Sequence, residues 1–194
     1  MTENVWTRTY PELPVNYREV ARYASCTEDT LPEQTESLIR EAGSVTGKVC
    51  WGVYPLTEED GQLSFAGIRT ASANLKSCLR DCDRVILFAA TAGFGIDRMI
   101  RKYEKLSPAS ALLLQAYGAE RAETICDAFC RDMENEYGRL RPRFSPGYGD
   151  LLLEMQKDIF TVLRPYEHIG ITLNESMLML PSKSVTAIIG IPNE

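Results

Sequence analysis

The stretch RVILFAA, residues 84–90, carries the strongest indication of the fold. Its apolar side chains follow one another without polar alternation, which predicts a strand covered on both faces in the middle of a sheet. A glycine-containing turn follows at residues 93–95, and a helix is predicted from there to residue 106. Ser107-Pro108 supplies a cap and an N1 proline, so a second, long helix is predicted to run to about residue 137.

One face of the long helix is predicted to be buried. Its apolar and small residues recur at helical spacing at Ala111, Leu114, Gly118, Ala122, Ile125 and Phe129. Because Gly118 and Ala122 are small, another backbone is expected to pack closely on this face.

Shorter segments on either side show the same periodicities. Helices are predicted at residues 17–25, 31–42, 72–80 and 152–163, and strands at 47–54 and 62–66. Thr30 and Glu33 have the spacing of a capping box for the second of these helices. The strand at 62–66 follows a polar turn ending in Asp-Gly, so it is predicted to form a hairpin with 47–54.

The final apolar runs, 172–180 and 184–191, are separated by a proline-containing turn and are predicted to form a terminal hairpin. Neither a repeat nor a long linker interrupts the chain. The sequence therefore predicts one α+β domain, in which residues 1–45 form an N-terminal helical segment packed on the rest.

The bulk composition narrows the classes of partner. The chain has 194 residues, a formal net charge of −6 and a sequence pI of about 5.0, which argues against nucleic acid. The acidic balance suits a cationic ligand or a basic protein, although a solvated acidic surface is the commoner explanation. The longest apolar run, 85–96, is too short to span a membrane, and the N-terminus lacks the regions of a secretory signal. A cytoplasmic protein is expected.

The chain offers few groups for catalysis or metal binding. Its six cysteines include two pairs at i, i+4 spacing, 78/82 and 126/130, expected on helix faces. Four thiolates could hold a metal, but the spacing is not that of a zinc knuckle, and core packing is the favoured interpretation. The turn at 93–95 has Arg98 where a dinucleotide fingerprint needs its third glycine. With His168 as the single histidine, no catalytic residue is predicted.

The segment RFSPGYGD, residues 143–150, combines a guanidinium, a hydroxyl and a phenol around a stiffened turn. Arg143 could bind a carboxylate through two hydrogen bonds, Gly147 lets the backbone approach a ligand, and Tyr148 could lie against a purine or a cation. These features suit an amino-acid nucleoside. A rigid surface turn is the alternative interpretation, since Gly, Pro and Ser are common in turns.

This segment resembles the R-x-x-x-G-Y motif of the activation domain of cobalamin-dependent methionine synthases. The tail is similar to the same domain, with TLNES at 172–176, MLP at 179–181 and SVT at 184–186 in the same order. The resemblance extends over roughly residues 45–191. It implies an α+β fold with a twisted antiparallel sheet flanked by helices, and a stand-alone S-adenosylmethionine-binding activation domain at 46–194.

The resemblance also implies roles for individual residues. Arg143 would bind the carboxylate of S-adenosylmethionine, backbone groups near Ser145 and Gly147 would hold the nucleoside, and Tyr148 would face the ligand or the corrin. The family's helical glutamate corresponds to Glu123, whose carboxylate would offset the positive charge of the ligand. A glutamate at such a position is otherwise solvated surface.

The implied function is the reductive remethylation of cob(II)alamin. His168 does not lie in the D-x-H-x-x-G setting of a corrinoid-binding module, because Tyr166 and Ile171 occupy the flanking positions. Cobalamin is therefore expected on a separate methionine synthase subunit, with flavodoxin or a similar low-potential donor supplying the electron. Two alternatives remain open: a non-catalytic S-adenosylmethionine-binding or scaffold module, and a reactivator of another corrinoid methyltransferase.

Overall fold

A four-stranded antiparallel sheet forms the centre of the protein. The computed structural model describes residues 5–193. The sheet has the strand order β1-β2-β6-β9, and its strands are β1 (Trp6–Tyr10), β2 (Gly47–Pro55), β6 (Cys82–Thr91) and β9 (Ser184–Pro192). The predicted strand at 84–90 is confirmed as an inner strand, since β6 pairs with β2 on one side and β9 on the other.

Helices and two small sheets surround this sheet. The α-helices are α1 (Tyr17–Tyr23), α2 (Gln34–Ala42), α3 (Ala73–Cys78), α4 (Phe94–Leu106), α5 (Pro108–Tyr137), α6 (Met155–Leu163) and α7 (Pro165–Ile169). The short strands are β3 (Thr57–Glu59), β4 (Gln62–Phe65) and β5 (Ile68–Thr70) in one sheet, and β7 (Thr172–Leu173) and β8 (Met179–Leu180) in another.

The sheet separates two hydrophobic clusters, and β6 contributes to both. Its residues alternate between the faces, as the strand period of two requires. Phe88 joins the cluster on the α5 side, where its ring lies 4.9 Å from that of Phe129. Leu87 joins the cluster that contains residues of α6 and α7. This two-sided burial explains why the strand is continuously apolar.

The prediction for the long helix is confirmed. Ser107 caps α5 by accepting a hydrogen bond from the backbone N–H of Ser110 at 3.3 Å, and all six residues of the predicted stripe are buried. The close approach at Gly118 is different from the one expected. A Cβ there would lie 2.7 Å from Cε of Lys183 and 2.9 Å from Cγ2 of Ile96, so side chains and not a backbone occupy this space.

The predicted terminal hairpin is wrong. β8 pairs with β7, while β9 pairs with β6 across the main sheet. Six consecutive residues of β9, 186–191, are buried. Pairing with β6 places β9 between the two hydrophobic clusters, which cover both of its faces.

Two further local predictions are corrected. The strand near 62–66 pairs with β3 and β5 and not with β2, because β1 and β6 already occupy both edges of β2. The proposed cap at Thr30 is also wrong: α2 starts at Gln34 without a side-chain cap, and Thr30 instead pairs with Thr27 in a capping box around a 3-10 turn at Glu28–Thr30.

The N-terminal segment contributes a strand that the sequence analysis missed. β1 alternates aromatic, charged and threonine residues, a pattern typical of a half-buried strand, and pairs with β2. α1 lies against α5, and Val20 of α1 belongs to the same cluster as Phe88. Contacts therefore cross the predicted boundary between residues 45 and 46, which stays a prediction. Among residues 5–193, no helix is long and apolar enough to span a membrane.

Candidate functional site

The segment after α5 runs along the outer edge of β9. Phe144 and Ile188 exchange backbone hydrogen bonds of 2.8 and 2.9 Å, and the backbone N–H of Arg141 donates to the carbonyl of Gly190 at 3.0 Å. The pairing is antiparallel. The loop therefore lies next to β9, on the side away from β6. Pairing with β9 thereby fixes the position of the RFSPGYGD segment.

This pairing also decides the direction of the Arg143 side chain. Phe144 and Ile188 both pack in the cluster on the α6 side, and neighbouring residues of an extended chain point to opposite faces. Arg143 therefore points toward α5. One of its terminal nitrogens donates to Oε2 of Glu123 at 2.5 Å and to Oδ1 of Asp127 at 3.0 Å. The two carboxylates share one face of α5 because they are four residues apart.

The second half of the loop is held by α3. The Asp150 carboxylate accepts hydrogen bonds from the Ser72 hydroxyl and from the backbone N–H groups of Ala73, at 2.7 Å, and Asn74, at 3.2 Å. The Asn74 side chain in turn accepts from the backbone N–H of Asp150 at 3.1 Å. Gly149 has a φ of 56°, and a Cβ there would lie 2.2 Å from Oδ1 of Asn74. Glycine is therefore required for this close approach.

Acidic pH is expected to weaken the hydrogen bonds between the Asp150 carboxylate and the start of α3. Hydrogen bonds, first from Ser72 and then from the two backbone N–H groups, lower the pKa of Asp150 against the opposing effect of desolvation. A carboxyl with a lowered folded-state pKa stabilises the fold above its unfolded pKa of about 3.9, and the effect is lost as pH falls through the folded-state value. Asp150→Asn should therefore lower the melting temperature most near neutral pH.

The measurement is the difference in melting temperature between wild type and Asp150→Asn, followed from neutral pH down to about pH 3. The difference should shrink as pH falls below about 4. Asp158→Asn, at an exposed position on α6, is the matched control. A difference for Asp150→Asn that is independent of pH would contradict a charged cap.

A cavity of about 420 Å³ lies between the loop and the start of β9, a size typical of small-molecule sites. Glu123, Arg143, Ser145 and Tyr148 line it, so the structure brings together four of the five predicted site residues. The fifth, Gly147, does not line the cavity. It has a φ of 90° and its N–H donates to the carbonyl of Leu151 at 2.9 Å, so it shapes the turn between Pro146 and Tyr148.

Seven further residues of the cavity wall were not predicted from the sequence. These are Phe144, Pro146, Gln156, Met179, Ser184, Val185 and Thr186. Three of the segments that carry the family resemblance, at 143–150, 179–181 and 184–186, thus meet in the structure, although only the first was assigned a role. Asp127 was also missed, and its spacing from Glu123 was the available signal.

Burial controls the chemistry of the thiols near Arg143. It raises the pKa of Cys130 to about 11 and also raises that of Cys126, so both are protonated at neutral pH. Cys126 and Cys130 lie four residues apart in α5, as predicted. The same prediction is wrong for Cys78 and Cys82, because Cys78 belongs to α3 and Cys82 to β6. Within the described part of the chain, no three His, Cys, Asp or Glu side chains are arranged to hold a metal ion.

The arrangement is suited to bind an amino acid group. Arg143 provides a cation and Glu123 an anion to the lining of the cavity, and an α-amino acid carries the complementary pair of charges. The arginine side chain is 25% exposed and the glutamate side chain 40%, so a ligand can reach both. Tyr148 is 68% exposed and forms part of the rim.

Comparison with solved structures supports the fold. No family model and no curated protein matches the sequence. A solved structure described as the crystal structure of the MetH reactivation domain bound to AdoHcy (S-adenosylhomocysteine) is similar, with a TM-score of 0.71 and 14% sequence identity. The match covers 99% of this chain and 80% of that chain. It confirms the expected α+β fold, with an antiparallel sheet flanked by helices.

Proposed function

We propose that this protein binds S-adenosylmethionine and supports the reductive remethylation of cob(II)alamin on a separate cobalamin-dependent methionine synthase subunit. It would act in the cytoplasm as a methyltransferase component that works only with this partner. The observation that carries the proposal is the paired charge of Arg143 and Glu123 in a ligand-sized cavity. The similar solved domain, which is bound to S-adenosylhomocysteine, supports it.

The charges of the cavity match the amino acid end of the ligand. The guanidinium of Arg143 would bind the carboxylate of S-adenosylmethionine. Glu123 and Asp127, which Arg143 contacts in the free protein, would then lie beside the ammonium and the sulfonium. Partial burial strengthens each of these interactions relative to water, and together they would fix the direction in which the methyl group points.

The chain's own contribution would be binding and orientation. The Nε2 atom of its single histidine, His168, is buried, which supports the proposal that cobalamin is held by the partner. When bound there and reduced by one electron from flavodoxin or a similar donor, cobalamin would supply the nucleophile that accepts the methyl group, with S-adenosylhomocysteine as the leaving group. Arg143 and Glu123 would hold the sulfonium in reach of it, and Tyr148 on the rim would face the ligand or the corrin. Fixing the reactants in this way lowers the entropic barrier to transfer.

Arg143→Ala is expected to weaken S-adenosylmethionine binding by about 10- to 100-fold, since it removes a charge-assisted contact. Calorimetric titration of the free protein measures this loss. Arg139→Ala is the matched control, because it also removes one cation but from an exposed side chain of the preceding turn. Equal affinities in Arg143→Ala and Arg139→Ala would place the binding site elsewhere.

The partner reaction needs its own test. A cobalamin-bearing methionine synthase subunit, trapped as cob(II)alamin, is incubated with flavodoxin and S-adenosylmethionine, with and without this protein. Faster remethylation in its presence supports the proposal. Binding without remethylation would identify a non-catalytic module, and remethylation of a different corrinoid protein alone would identify that protein as the partner.

A further inference from the structure

Two thiols, those of Cys78 and Cys82, lie beside Arg141, and neither lines the cavity described above. The Cys78 thiol donates to the carbonyl of Pro142 at 3.3 Å. The Cys82 thiol lies next to the Arg141 guanidinium, whose positive charge acts on both thiols. A Cβ on Gly190 would lie 2.6 Å from the Cys82 sulfur and 3.2 Å from Cγ of Arg141. Both sulfurs therefore lie along the chain segment that leads into the loop.

A tight turn connects the two cysteines. Cys78 is the last residue of α3 and Cys82 the first residue of β6. The backbone N–H of Cys82 donates to the carbonyl of Leu79 at 3.1 Å, and Asp81 has a φ of 62°, so the chain reverses between the cysteines. A disulfide requires the two Cα atoms to lie within about 7 Å, and a reversal of this length allows that.

Both thiols can be reached by a small oxidant. They are half-buried, and Cys82 lines a second cavity, of about 410 Å³, beside α3. Burial raises the pKa of each thiol, and the Arg141 cation opposes this effect. Nε of Arg141 is buried without an acceptor among the described residues, so a thiolate beside this guanidinium would be stabilised. Reactive cysteines are found in such partly exposed, electropositive surroundings.

α3 supports the loop 143–150 from both of its ends. Its N-terminal residues donate to the Asp150 carboxylate. At its C-terminal end, Cys78 donates to the carbonyl of Pro142, the residue before Arg143. A disulfide removes the proton from Cys78, so the hydrogen bond to Pro142 is lost. It also ties the end of α3 to the start of β6. Oxidation of this pair therefore changes how the loop is held.

We propose that Cys78 and Cys82 form a peroxide-sensitive dithiol whose oxidation to a disulfide loosens the loop that carries Arg143. The Cys82 thiolate attacks one oxygen of hydrogen peroxide. An S–O bond forms, the O–O bond breaks, and the hydroxide released takes up the proton that Cys82 had lost. The Cys78 sulfur then attacks the sulfenic acid sulfur of Cys82. The S–S bond forms, and the displaced hydroxide leaves as water with the Cys78 proton, so two electrons pass from the sulfurs to the peroxide.

Trypsin separates the two cysteines, because Arg80 lies between them. Cys78 is then in the peptide SCLR and Cys82 in the peptide DCDR. The full chain is treated with hydrogen peroxide, its remaining thiols are alkylated, and the digest is analysed by mass spectrometry without reductant. The expected product is SCLR joined to DCDR, with no covalent dimer on a non-reducing gel.

Cys126 and Cys130 are the matched control pair. They have the same spacing but lie within α5, where burial keeps both thiols protonated. Their shared peptide should be recovered with both thiols alkylated. Cys78→Ala should stop the reaction at a sulfenic acid on Cys82, which dimedone traps. Cys82→Ala should leave Cys78 as a thiol.

Hydrogen exchange measures the effect on the loop. After peroxide treatment, the amides of residues 141–150 should exchange about 5-fold faster in the wild type, because a hydrogen bond that supports the loop is lost. Dithiothreitol should restore the original rate. In Cys82→Ala the treatment should leave the rate unchanged, since Cys78 keeps its proton and its bond to Pro142.

Three results would overturn the inference: recovery of SCLR and DCDR unlinked, equally ready oxidation of Cys126 and Cys130, or unchanged exchange in the loop of the linked protein. Neither measurement uses S-adenosylmethionine. A protein that forms the linked peptides but does not bind S-adenosylmethionine would therefore contradict the proposed function alone. Binding that depends on Arg143, without the linked peptides, would contradict only the dithiol.

Discussion

Replacing Arg121 with alanine is expected to lower the free energy of unfolding by about 3–5 kcal/mol, because it leaves a buried carboxylate without its cation. Arg121 and Glu120 are only 3% and 1% exposed. The guanidinium donates twice to Glu120, at 2.6 Å each. It also donates to the carbonyls of Leu13 and Pro14, at 2.7 Å each.

This cluster fastens the N-terminal segment to α5. Glu120 also accepts from the backbone N–H of Asn16, at 2.9 Å, and from the Thr124 hydroxyl, at 2.8 Å. In Arg121→Ala those two donors alone would have to stabilise the charge. The carbonyls of residues 13 and 14 would lose their donors as well, so the segment leading into α1 should loosen with the loss of stability.

Urea denaturation measures the change in unfolding free energy. Arg131→Ala, at an exposed position of the same helix, should change it by less than about 0.5 kcal/mol. The double variant Glu120→Gln/Arg121→Met should be less destabilised than Arg121→Ala, because it removes the unpaired charge and keeps an acceptor for Asn16. A loss below about 1 kcal/mol in Arg121→Ala would contradict this account.

Exchanging the charges of Glu123 and Arg143 is expected to lower the affinity for S-adenosylmethionine by more than about 100-fold. In Glu123→Arg/Arg143→Glu an ion pair is kept between α5 and the loop, so the fold should be retained. The carboxylate of the ligand would now be attracted to α5 and its ammonium to the loop. That reversal would turn the amino acid group around, so the sulfonium and the nucleoside would lose their wild-type placement.

The exchange separates a binding role from a structural one. Thermal melting of the double variant should stay close to wild type, whereas Arg143→Glu alone should melt lower because three carboxylates then meet. Calorimetry with S-adenosylmethionine is run on the same samples. Affinity within about 10-fold of wild type in the double variant would mean that the site requires one cation and one anion, whichever of the two positions carries the cation.

Much of the local structure could be predicted because its causes are local. The uninterrupted apolar run at 85–90 identified an inner strand, and Ser107-Pro108 identified the start of α5. Each of these signals depends on residues within a few positions of one another. The loop 143–150 stood out for the same reason, since glycine, proline and arginine have distinctive properties wherever they occur.

The pairing partners of the strands could not be predicted as well from the sequence. The chain returns at 184–192 to pair with β6, about a hundred residues earlier, while β8 pairs with its near neighbour β7. An apolar run predicts that both faces of a strand are buried. It does not predict which other strand pairs with it. The short polar turn at 181–183 favoured a hairpin locally, and burial of β9 on both faces overrode that preference.

The sequence by itself determined that Arg143 lies in a turn with distinctive chemistry and that an α+β pattern surrounds one apolar strand. Glu123 was singled out only through the family resemblance. Only the tertiary structure decided that Arg143 faces Glu123, because that direction depends on the pairing of Phe144 with Ile188. It alone brought Gln156 and Thr186 to the same cavity wall. Such contacts join distant positions, and their geometry is fixed by packing of the whole sheet, which no short stretch of sequence specifies.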